Sequence, residues 1–89
     1  MPEICRFYGI IIKMFFDDHH PPHFHAIYSD FEALIEINTL AVIGGKLPPR
    51  ALGLVVLLME WAAIHQTELT DFWEKAKNLE PIGKIAPLR

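Results

Sequence analysis

Four of the chain's five histidines fall within seven residues, in the segment Asp17-Asp18-His19-His20-Pro21-Pro22-His23-Phe24-His25. Imidazole titrates near neutrality and ligates transition metals, so this segment has the chemical means to bind a metal, to move protons or to shape a partner surface. Pro21 and Pro22 have no N–H to give to a sheet ladder, which makes His19 to Pro22 a loop. His23 and His25 then stand two residues apart, the spacing that aims both imidazoles to one side of a strand.

The elements around the segment set where those imidazoles can go. Tyr8 to Phe16 is rich in Ile, Met and Phe and reads as a largely buried strand ending at the acidic pair. His23 to Tyr28 is extended, Ser29-Asp30 is a turn, and Phe31 to Ile37 alternates as a strand with Phe31, Ala33, Ile35 and Ile37 on its apolar face. A hairpin centred on Ser29-Asp30 puts Tyr28 opposite Phe31, Ala26 opposite Ala33 and Phe24 opposite Ile35, so both strands agree on one apolar face. The other face then holds His23 opposite Glu36, His25 opposite Leu34 and Ile27 opposite Glu32. His25 is diagonal to Glu36 at roughly 7 Å, which long side chains can close.

The candidate metal set is therefore His19, His23, His25 and Glu36, with His20 or Asp17 able to add a ligand from the loop. Imidazole and carboxylate together suit a divalent transition metal such as zinc, iron, nickel or manganese. The same groups can serve acid–base chemistry, with Glu36 or Asp18 orienting His23 or His25 as a base. The competing account is structural: prolines order the loop and the imidazoles bond to backbone and carboxylates.

Beyond Ile37, Asn38 to Leu40 turns into a short strand around Ala41 to Ile43, and Gly44-Gly45 breaks regularity. Pro49 is placed to open a helix running from Arg50 to about Gln66. Its apolar residues fall on two stripes, Leu52, Val55, Val56, Met59 and Ala63, and Leu54, Leu58, Trp61 and His65, so the helix should be covered on two sides. Thr67 to Asn78 is again helical, with Leu69, Phe72, Trp73 and Ala76 on a common side. Thr67 caps a second helix, or one helix of about 45 Å runs through from Pro49 to Asn78. Trp61, His65, Phe72 and Trp73 are the candidate interaction residues, since large aromatics anchor both cores and interfaces. The tail from Glu80 to Leu88 is extended and carries apolar residues able to dock back.

Length and composition bound the function. The 89 residues make one domain spanning 1–89, and 52% of them are hydrophobic, more than its own core needs. A partner or a second copy is expected to cover the surplus. The formal charge of -3 has the wrong sign for binding a polyanion, so a nucleic-acid regulator would need Lys46, Arg50, Lys84 and Arg89 to converge. Cys5 stands alone and reads as a packing residue in a reducing compartment. The longest apolar run, Ala51 to Met59, is far shorter than a membrane span, and the expected location is cytoplasmic.

The chain resembles the small bacterial proteins of the domain-of-unknown-function family DUF4160. The likeness runs through Cys5-Arg6-Phe7-Tyr8-Gly9-Ile10, Asp18-His19, Pro21-Pro22-His23-Phe24-His25-Ala26, Ala33-Leu34-Ile35, Gly45, Leu47-Pro48, Arg50-Ala51-Leu52, Trp61, His65, Glu68-Leu69, Trp73-Glu74, Lys84-Ile85 and Pro87-Leu88. It departs at Thr39-Leu40, where a Gly commonly closes the turn, and in the additional His20. The resemblance implies a compact sheet followed by helix, and a neighbouring-gene partner of family DUF2442. It carries over no catalytic residue.

The expected fold is α+β, a small antiparallel sheet of three to four strands followed by one long or two shorter helices. The expected function is a protein-interaction component of a two-gene module, toxin–antitoxin-like or regulatory, acting as a homo-oligomer or with the small neighbouring-gene protein. The alternatives are a metal-dependent or acid–base hydrolase or nuclease built on the His cluster, and a nucleic-acid-binding regulator.

Overall fold

A computed structural model describes residues 3–16, 19–48, 50 and 52–88. Five strands, β1 (Glu3–Phe7), β2 (Ile10–Lys13), β3 (His23–Tyr28), β4 (Phe31–Glu36) and β5 (Val42–Lys46), form an antiparallel sheet in the order of the chain. Two helices follow, α1 (Leu52–Ile64) and α2 (Gln66–Lys77). The α+β class holds, with five strands where three or four were expected.

The additional strand comes from a turn inside the long apolar run. Tyr8 and Gly9 take φ values of 50° and 82°, so two left-handed residues reverse the chain and pair Phe7 with Ile10. Such a two-residue loop matches the twist of its flanking strands, and glycine at its second position is the only local mark of it. A single strand from Tyr8 to Phe16 is thus replaced by β2, four residues long, after a hairpin.

The β3–β4 register is the one that alternation dictates. All six pairs, from His23 with Glu36 to Tyr28 with Phe31, are formed. Across the sheet this aligns Cys5, Ile12, Ala26, Ala33 and Gly45 in one row. Phe24 and Ile35 flank that row, and with Ile10, Ile12, Met14 and Ile37 they are buried. The small residues of the row leave room for the helices, whose Leu58, Trp61, Ala62, Leu69, Phe72, Trp73 and Ala76 complete the core.

Gly44 and Gly45 lie within β5 rather than ending it. The ladder shifts register between Leu34 and Ile35, past Ile43, and Gly45, paired with Ala33 just before the shift, takes φ 64°. A side chain there would collide with the Glu32 carbonyl oxygen. The glycine is therefore needed for β4 and β5 to approach. Leu40, in the turn where the family resemblance expects glycine, adopts φ 61°, held by Leu40 N–H to Glu36 O at 2.8 Å.

The helical region is two helices bent by 76° at His65. A straight helix of about 45 Å would overrun a molecule whose longest extent is 37 Å. The bend lets both buried stripes meet one sheet. His65 occupies the N-cap position without a capping side-chain bond, and Thr67 lies within α2, so the expected Thr67 cap is not formed. The Gln66 side chain instead donates to Ile37 O at 2.8 Å, fastening the bend to the end of β4. Pro49, the expected helix opener, lies outside the described residues, as does Ala51.

The tail docks as expected. Ile85 is buried and its N–H donates to Ile4 O at 2.8 Å, while the Trp61 indole N–H donates to Ala86 O at 2.8 Å. The first bond lies along the outer strand β1, and β5 is the outer strand on the other side of the sheet.

Replacing Gly45 by Ala should lower unfolding stability by more than about 1 kcal/mol, because the new methyl meets backbone and the left-handed φ is strained. Urea denaturation followed by circular dichroism reads the change, and an unchanged midpoint would contradict the close approach of β4 and β5.

Candidate functional site

Strand parity delivers His23 and His25 to the side of the sheet opposite Phe24 and Ala26. Their ring centroids are 5.2 Å apart. Phe15 packs edge-on against His25 at 4.5 Å, and Trp73 lies 5.3 Å from His23 and 5.8 Å from His20. Five rings thus run in sequence, Phe15, His25, His23, Trp73 and His20. Trp73 brings α2 against the histidine segment, which is why His23 is buried at 4% exposure despite facing away from the central row.

Hydrogen bonds fix the ring orientations. His23 Nδ1 is 2.8 Å from the Pro21 carbonyl oxygen. A carbonyl only accepts, so Nδ1 carries the proton and Nε2 is the lone-pair nitrogen of the neutral ring. His25 Nδ1 is 2.8 Å from Glu32 Oε2 and also donates, to a carboxylate. The His20–Pro21 peptide bond is cis.

The expected diagonal contact of His25 with Glu36 is corrected to Glu32. Both glutamates are diagonal to His25 in the observed register, and sheet twist makes the two diagonals unequal. Glu36 is engaged elsewhere, accepting from the Thr39 hydroxyl at 2.8 Å. Of the candidate set His19, His23, His25 and Glu36, the structure brings His23 and His25 together, pairs Glu36 with His23 only in register, and leaves His19 on the exposed loop. Asp17 and Asp18 lie outside the described residues. Among the described residues, no group of three or more His, Cys, Asp and Glu side chains could hold a metal ion.

The aromatic candidates are interior. Trp61 and Trp73 are buried at 0% and 2% exposure, and Phe72 is buried with them. His65 lies against Trp61 at 5.4 Å and donates from Nδ1 to Glu68. Exposed large apolar side chains lie elsewhere, at Tyr8, Phe16, Val42, Ile43 and Leu79, and in a group of three on α1. Leu52, Val56 and Ile64 are 72%, 64% and 63% exposed. They share one stripe with Gly53, Glu60 and Ala63, opposite the buried Leu58, Trp61 and Ala62. Next to that stripe an apolar groove of about 250 Å³ is lined by Val42, Gly45, Lys46, Leu47, Pro48, Leu52, Val55 and Met59. Leu52, Val56 and Ala63 belong to the first of the two apolar stripes expected on this helix, the one that this sheet leaves exposed, and Glu60 is the helix's only charge.

The family model described as Domain of unknown function (DUF4160) matches residues 9–74. The chain belongs to that family. No curated protein and no solved structure matches it. The matched span of this DUF4160 chain holds the histidine segment and the whole of α1, and omits β1 and the docked tail, which bond to each other.

Other features are structural or dispersed. Cys5 is buried, and burial pushes its thiol above the ordinary value, in keeping with a packing role. Lys84 donates to Glu3 O at 2.7 Å on the β1 side, whereas Lys46 belongs to β5 at the opposite edge. Four strand spacings, roughly 19 Å, separate those edges, so the two cations do not converge. Arg89 lies outside the described residues. No single helix among the described residues is long and apolar enough to cross a membrane.

At alkaline pH, nitrogen-15 correlation spectra should show His23 as the Nδ1–H tautomer, the reverse of the Nε2–H form favoured by a solvated imidazole. An Nε2–H signal for His23 would contradict the Pro21 bond.

Proposed function

We propose that this chain is a protein-interaction component of a two-gene module, toxin–antitoxin-like or regulatory, working through the exposed face of α1. The supporting observation is that stripe: three large apolar side chains more than three-fifths exposed on a helix with one charge. An isolated apolar residue on a surface needs no explanation, but a large contiguous apolar patch marks an interaction site. Burying such a stripe against a partner gains ~25 cal/mol for each Å² of apolar area removed from water. The candidate partners are a second copy and a small neighbouring-gene protein of the DUF2442 kind.

A second reading, a metal-dependent or acid–base hydrolase or nuclease, draws on the His23 and His25 pair. Acceptors on both Nδ1 atoms orient the rings as outer partners orient the imidazoles of metal and catalytic sites. It lacks a third converging ligand among the described residues. The apolar face is the better supported of the two.

Co-expression with the product of the adjacent gene, followed by affinity purification and sizing, should recover the chain in a complex, homomeric or heteromeric. Val56→Glu, at an exposed position, should reduce recovery at least tenfold while leaving the circular dichroism spectrum unchanged. A chain that is monomeric and recovers no adjacent-gene product would overturn the proposal. For the second reading, transition metals are quantified in untagged protein, and in His23→Ala and His25→Ala with retained fold. Stoichiometric metal lost in both variants is the result it requires, and metal-free folded protein retires it.

A further inference from the structure

The charge on the exposed face of α1 and the charge just before the helix suit a self-complementary pairing. Glu60 is the sole charge on the exposed stripe, and Arg50 lies exposed just before the helix begins at Leu52. They are ten positions apart, and Val56 falls between them. An antiparallel copy of the helix, related by a twofold axis near residue 55, brings Arg50 of each copy against Glu60 of the other. Both pairs form at once because an isologous interface repeats every contact. The two Glu60 side chains are then roughly 15 Å apart along the axis at 1.5 Å per residue. A parallel pairing would instead set Glu60 against Glu60.

We infer that the exposed face of α1 is closed by the same face of a second copy, antiparallel, with Arg50 of each chain meeting Glu60 of the other. This rests on the interaction reading above and names its partner. Val56 meets its own counterpart near the axis, and Leu52 lies beside the Met59 turn of the second copy. The same register carries Ile64 past Leu52 of the second copy. Leu52, Val56 and Ile64, together with Val42 at 50% exposure on the groove wall, supply the apolar centre. Stable interfaces bury about 800 Å² on each partner. α1 spans roughly 20 Å and so offers the length over which such an interface can run. Both charged groups sit at the rim, where they select the partner and its direction more than they add affinity.

The test is a charge exchange read by sedimentation equilibrium on the full chain. Wild-type protein should be dimeric at micromolar concentration. Arg50→Glu alone places two glutamates together at both ends of the interface, and Glu60→Arg alone places two arginines there. Each variant should dimerise about tenfold more weakly or worse, with unchanged circular dichroism. Mixing the two variants restores opposite charges at both ends, so heterodimers should form at close to wild-type strength, and the double variant Arg50→Glu/Glu60→Arg should recover homodimers. A wild-type monomer at 100 µM, roughly a hundredfold above the concentration at which a micromolar dimer forms, overturns the inference. So does a dimer indifferent to the charge changes, or a monomer whose α1 face binds phosphatidylcholine vesicles. In the monomer case the interaction reading stands or falls separately, on recovery of the adjacent-gene product.

Discussion

Everything in this molecule hangs on the agreement between β3 and β4 about which side is apolar. Phe24 with Ile35 and Ala26 with Ala33 are directly opposed, and a slip of one residue would turn every one of them to the other side. That penalty makes the register firm. β2 with β1 beyond it, and β5 on the other side, join the pair and extend the row to Ile12, Cys5 and Gly45, producing one continuous apolar face for the helices. Since side chains alternate, the constraint that buries Phe24 also sends His23 and His25 to the opposite side. The histidine pair is thus placed by the core and not by any requirement of its own.

The helices divide the remaining work unequally. α2 is amphipathic in the ordinary way, with Leu69, Phe72, Trp73 and Ala76 buried, an acidic residue in its first turn and lysines in its last, which suits the helix dipole. α1 buries only Leu58, Trp61 and Ala62, although its sequence is apolar all round. A helix of that composition is at home inside a protein. The sheet is too narrow to surround it, and α2, bent away by 76°, covers one end. The surplus apolar surface of α1 is a consequence of a domain too small to enclose its own most hydrophobic element.

Much of the candidate histidine site was legible because it depends on parity and sequence distance. The opposed positions of His23 and Glu36, and the turn at Ser29-Asp30, followed from alternation. The choice of Glu32 over Glu36 as the partner of His25 did not, because both are diagonal neighbours in register and the twist of the sheet separates them. The turn at Tyr8-Gly9 was obscured by its apolar flanks, where an aromatic residue occupies a left-handed position that asparagine or glycine would normally announce. Trp61 and Trp73 looked equally suited to core and interface, and their burial depends on where the helix axes lie relative to the sheet.

By itself the sequence determined the α+β class, the β3–β4 register, the inward side of α2 and membership of the DUF4160 family. These depend on local periodicity and on matches between nearby segments. Tertiary structure decided the break at His65, the placement of Trp73 against His23 and the identity of the exposed stripe on α1. Each of these depends on which of several apolar surfaces wins the limited area of one five-stranded sheet. Periodicity names the surfaces that seek burial, and only the packed geometry settles which of them is left outside.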